Sequence, residues 1–163
     1  MKKKIGLVFY LRNVSFLILL FGFNALLNAQ TFSKNREKFV KEIQKLFELE
    51  LSSEALREKI LDFHPYEISE AIVELSESQR QVLYDVLNAE DISYTISHLE
   101  TEDVFDLFEE MKPRYIADII QHLDIDDAVD IMLALPEEER EKYLGLMDEE
   151  EQARQIASSL DNL

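Results

Sequence analysis

Seven residues of the chain concentrate its chemistry: Asp124-Ile125-Asp126-Asp127-Ala128-Val129-Asp130. Asp126 and Asp130 are four apart, so on a helix they share a face one turn apart. Asp106 stands 24 residues before Asp130 and occupies the equivalent place one repeat earlier. Clustered carboxylate oxygens suit a hard cation. Mg2+ in particular keeps most of its water and takes one or two carboxylates from each wall of a site. Such a face binds weakly by itself, and it gains a use when a second acidic surface docks against it, because the two repel unless divalent ions lie between them. The alternative is a solvated face with no ligand. Asp126, Asp130, Asp127 and Asp106 are the candidate metal ligands.

Other chemistries find no matching pattern. The sequence has no nucleophile elbow, no Gly-rich phosphate loop and no paired-histidine metalloprotease motif, so an enzyme is not expected. His98 and His122 are one repeat apart. They read as polar neighbours of the apolar Leu99 and Leu123 before they read as a metal pair, which lacks a third ligand. His64, before Pro65, reads as a helix-start residue.

The elements that carry these residues follow from a 24-residue period. Leu75, Leu99, Leu123 and Met147 keep that interval; so do Ile72, Ile96, Ile120 and Leu144, and Ile68, Ile92 and Ile116. Within one copy these stand at i, i+4 and i+7, the apolar stripe of an amphipathic helix, and a second stripe follows at Leu83, Leu107, Ile131 and Leu87, Met111, Leu135. Each copy is two short helices. Helices of about ten residues are marginal alone, so they must bury their stripes on one another. The expected fold is all-α, a superhelical stack of short helical hairpins preceded by an apolar N-terminal helix.

Acidic residues also have a structural explanation. Ser76, Glu100, Asp124 and Asp148 fall at the N-cap of each second helix, with Gln79, Asp103, Asp127 and Glu151 three residues on, the partner position of a capping box. Carboxylates in a first turn also gain about 0.3–1 kcal/mol each from the helix dipole. A metal role for Asp126 or Asp127 must rest on more than acidity.

Of the chain's 17 basic and 34 acidic residues, nine basic ones and only Glu37 and Glu42 fall in the first 45 positions. Residues 46–163 are left with eight basic and 32 acidic groups, a formal charge of -24. That surface repels phosphate backbones, which excludes nucleic acid as the expected partner, and it attracts cations and basic partners. The chain contains no cysteine, so neither a disulfide framework nor a thiolate metal site is available.

Lys2, Lys3 and Lys4 precede a largely apolar stretch, Ile5 to Ala29, interrupted by Arg12, Asn13 and Asn24. Residues 1–29 read either as a signal peptide cleaved near Ala29 or as a membrane anchor. Residues 30–52 read as a basic amphipathic helix and linker, ending at about Leu51, with Ser52 and Ser53 offering a new N-cap. Residues 53–163 form the helical repeat domain.

A family likeness covers much of that domain. Leu56-Arg57, His64-Pro65, Ile116-Ala117-Asp118-Ile119-Ile120, Asp126-Asp127-Ala128-Val129-Asp130 and Leu135-Pro136-Glu137-Glu138 occur in order. At this spacing the segment from about Leu56 to Leu160 resembles the N-terminal cytoplasmic domain of MgtE magnesium transporters. The resemblance implies a superhelix of short helices, with Mg2+ held between its acidic face and the CBS modules or connecting helix of a transporter. Asp126 and Asp130 match acidic positions used there; another such position is Tyr94 here. The family continues into CBS modules and a pore where this chain stops at Leu163, and it has no apolar leader. The expectation is therefore a truncated or standalone Mg2+-sensing module, its helical domain cytoplasmic and held at the membrane through the leader if that is retained. A similar stack in the flagellar motor switch protein FliG suggests a protein-interaction scaffold instead; export after cleavage near Ala29 gives a helical-repeat protein of unrelated role.

Overall fold

Helix starts recur every twelve residues along the chain: Ser52, His64, Ser76, Asn88, Glu100, Lys112, Asp124 and Pro136 are successive N-caps. The 24-residue period is thus two half-repeats, each one helix and one turn. The computed structural model describes residues 34–162. It divides the chain into two units, Met1–Lys38 and Phe39–Leu163, and of the first only residues 34–38 are described. The apolar leader expected at 1–29 lies outside the described residues. Among the described residues no helix is long and apolar enough to cross a membrane.

All regular structure among the described residues is helical. Residues 34–47 form α1, followed by α2 (Ser53–Leu61), α3 (Pro65–Ile72), α4 (Glu77–Val86), α5 (Ala89–Ile96), α6 (Thr101–Phe108), α7 (Pro113–Gln121), α8 (Ile125–Ala134), α9 (Glu137–Leu144) and α10 (Glu150–Asp161). The first helix stops at residue 47 rather than near Leu51. Ser52 accounts for the restart, its hydroxyl accepting the Ala55 N–H at 3.2 Å. Pro65 and Pro113 open α3 and α7, where a missing N–H costs nothing.

Helices pack on the helix two along in the chain: α3 on α5, α5 on α7 and α7 on α9, and likewise α2 on α4 and α8 on α10. The repeat stripes form the core. Ile68, Ile72, Ile92, Ile96, Ile116 and Ile120 are all buried, as are Leu83, Leu107 and Ile131 of the second stripe. A helix of eight to ten residues makes few hydrogen bonds, so this burial is what holds each one in place.

Capping departs from the sequence expectation. Ser76 and Gln79 form their reciprocal box, but Glu100 and Asp124 make no side-chain cap bond, and α10 starts one residue late with Glu149 as its uncapped N-cap. Boxes form instead on first helices of the repeat, at His64 with Glu67 and Asn88 with Asp91. Every box that forms carries at most one carboxylate. Pairs such as Asp124 and Asp127 would bring two like charges against one helix end, and their repulsion opposes the closure.

Candidate metal-binding face

Asp126 and Asp127 occupy the first turn of α8, and Asp130 follows one turn later. Ala128, Val129, Ile131 and Met132 of the same helix are buried, so the core fixes which way the acids face. Asp126 and Asp130 are exposed, and Asp127 is half-buried. Asp127 and Asp130 line one side of a cleft of about 100 Å³; Leu99, Thr101 and Val104, from the turn into α6 and its first residues, line the other.

Crowding marks Asp127. Partial burial pushes its carboxyl above the usual range, and the charges of Asp124, Asp130 and Asp126 push the same way, opposed by His98. The structure therefore brings Asp126, Asp127 and Asp130 into one electrostatic neighbourhood. Asp106 sits exposed on α6 and does not line the cleft. Among the described residues none of these four carboxylates enters an ion pair or a side-chain hydrogen bond. No three acidic or histidine side chains among the described residues converge as a complete metal site. Hard, exposed carboxylate oxygens fit Mg2+ in kind, the ion that favours oxygen ligands and keeps most of its water.

The histidines separate. His122 Nδ1 lies 2.6 Å from the Asp118 carbonyl oxygen, at the end of α7. His98, past the end of α5, sets its ring 6.1 Å from that of His64 and edge-on to Tyr66 at 6.2 Å. His64 is a helix-start residue, its Nδ1 accepting the Tyr66 N–H at 3.2 Å while Glu67 accepts the His64 N–H at 2.9 Å. His98 bears on this face only through its charge, which opposes the upward push on Asp127. Tyr94 is exposed, its hydroxyl donating to Glu90 on the same helix.

Comparison with known proteins adds to this geometry. The family model of the MgtE intracellular N domain matches residues 63–161. A crystal structure of the soluble part of a magnesium transporter is similar at 28% sequence identity and a TM-score of 0.62, over 79% of this chain and 49% of that one. The chain thus spans about half the length of the solved structure it matches. No curated protein matches it.

Proposed function

The chain belongs to the family of MgtE intracellular N domains, and from that premise we propose that it is a regulatory module of a magnesium transport system that docks in response to Mg2+. Its docking face is α8, with Asp126 and Asp130 as the metal-facing pair, Asp127 between them and Asp106 extending the acidic surface along α6. The partner surface is the CBS modules or connecting helix of a transporter, itself acidic. Mg2+ between the two faces offsets their repulsion and holds them together; as Mg2+ falls, the uncompensated charges drive them apart. The apolar leader, where retained, keeps the module beside a membrane, with the helical domain cytoplasmic.

The observation that supports this reading best is the state of Asp127. A carboxyl pushed upward by burial and by three neighbouring carboxylates is a place where a divalent cation relieves more repulsion than at an ordinary solvated acid. A basic side chain would relieve it equally, and none forms an ion pair there among the described residues.

Thermal melting of the full chain with and without millimolar Mg2+ tests the proposal. Wild type should gain stability with Mg2+, and Asp126→Ala/Asp130→Ala should lose most of that gain. Stabilisation that survives the double substitution removes the assigned pair.

A further inference from the structure

A second concavity, sharing no lining residue with the acidic cleft, lies between α6 and α9. Its volume is about 230 Å³, and its walls are Phe105, Phe108, Glu109, Leu135, Glu139 and Tyr143. Phe108 and Tyr143 are buried, and the Phe105 and Phe108 rings stand 6.4 Å apart at 59°. Glu109 is exposed and Glu139 half-buried, and neither enters an ion pair or side-chain hydrogen bond among the described residues. Glu110, next in the chain, is by contrast bound by Arg80.

The repeat explains why the concavity exists. One period before Glu139 stands Tyr115, whose hydroxyl donates to the Leu87 carbonyl at 3.1 Å and whose ring is half-buried. Burial, with the charges of Asp118, Asp91 and Asp85, pushes that hydroxyl up to about 12, so it stays a neutral donor. Asp85 is itself the repeat equivalent of Glu109. In the earlier copy the position thus carries a half-buried tyrosine tied to the Leu87 carbonyl. In the later copy a shorter glutamate replaces it, and the place holds two carboxylates among aromatic rings.

We infer that this cleft receives the guanidinium of an arginine side chain on a partner protein. Two unpaired carboxylates call for a cation, and three aromatic walls select among cations. Hydrated Mg2+ keeps its water and gains nothing from phenyl faces, whereas a guanidinium is weakly hydrated, stacks on a ring and offers a planar fork to carboxylates. Lys142 Nζ, 5.3 Å from the Tyr143 ring centre, already covers one face of that buried ring, so the half-buried Phe105 is the ring left for the guanidinium to stack on. The charge of -24 over residues 46–163 draws a basic partner toward the cleft.

The test is a titration of the full chain, labelled on its Phe and Tyr rings, with the tripeptide acetyl-Gly-Arg-Gly-amide, followed by NMR. Saturable shifts are expected at Phe105, Phe108 and Tyr143. Glu139→Gln should weaken binding about five-fold, near 1 kcal/mol, and Glu139→Tyr, which restores the tyrosine found one period earlier, should abolish it. Asp126→Ala should leave it unchanged, which separates this site from the Mg2+ face. Equal shifts with the citrulline tripeptide, unaltered binding in Glu139→Gln, or tighter binding of tetramethylammonium would each overturn the assignment.

Discussion

The guanidinium of Arg80 on α4 grips the carboxylate of Glu110 beyond α6, with Nε 2.9 Å from Oε2 and a second, closer contact through Nη2. Tyr84 donates its hydroxyl to the same carboxylate at 3.3 Å, and Arg80 Nη1 donates to the Leu75 carbonyl. Both charged side chains are mostly enclosed, 16% and 14% exposed. Similar arginine clamps join Arg57 to Asp91 and Arg114 to Asp148. Ties across 30 or more residues hold together a stack whose helices are too short to stand alone.

Removing one partner from the buried clamp should be costly. Arg80→Ala is expected to lower stability by about 3 kcal/mol, because it strands a largely buried carboxylate. Arg80→Met/Glu110→Leu should cost less. The side-chain hydrogen bond from Arg80 is the main cause holding the Glu110 carboxyl below its usual range. A depressed carboxyl contributes stability that is fully present above its unfolded pKa, near 4.3, and is lost as pH falls through the folded value. Urea unfolding should therefore show the Arg80→Ala deficit in full at pH 7 and a smaller one toward pH 3.

Gln121 caps α10 from another helix. It is buried, and its Oε1 accepts the backbone N–H groups of Asp148 at 2.9 Å and Glu149 at 3.2 Å, where α10 has no cap of its own. Gln152 returns a bond to the Leu123 carbonyl at 3.0 Å. Gln121→Ala should cost about 1–2 kcal/mol, felt locally. Amide hydrogen exchange should speed up at residues 148–153 and stay unchanged in α3 and α5; uniform acceleration would make Gln121 a core residue and not a cap.

Caps test which sequence signals the fold uses. Asn88→Ala, which breaks a formed box with Asp91 (2.8 Å and 3.1 Å), should cost about 1 kcal/mol. Glu100→Ala, at a position with no cap bond, should cost at most a few tenths. Matched urea midpoints would check the contrast, and equal losses would mean that Glu100 stabilises the start of α6 as much as a bonded cap does.

The same contrast shows what was legible in the chain. The isoleucine and leucine stripes announced helix type, period and core, because a buried face must repeat with the helix. Asp126 and Asp130 were legible as a shared face for the same reason. Glu100 and Asp124 do stand at the N-cap positions that their spacing predicts, but their side-chain bonds do not form, because the box pattern counts residue types and ignores like-charge repulsion between Asp124 and Asp127. Arg80 with Glu110 and Gln121 with Glu149 were invisible: the two pairings span 30 and 28 residues and depend on packing.

Asp127 offers the sharpest pH test of the acidic face. Its carboxyl is pushed up by burial first and then by Asp124, Asp130 and Asp126. For a carboxyl raised on folding, the ionised form is the less favourable one in the folded state, so stability is gained as pH falls through the raised value and levels off below the unfolded one, near 3.9. Asp127→Asn should accordingly stabilise the chain at pH 7, by no more than about 0.5 kcal/mol on a partly solvated surface. The gain should vanish toward pH 4, where wild type acquires its own proton. Mg2+ sharpens the comparison, since a cation on the face removes the same repulsion that the amide removes, and the advantage of Asp127→Asn should shrink as Mg2+ is added. Thermal melts of both proteins at pH 7 and pH 4, each with and without Mg2+, give all four comparisons. An Asp127→Asn protein that is less stable at pH 7 would mean that the carboxylate serves the start of α8 more than it suffers from its neighbours.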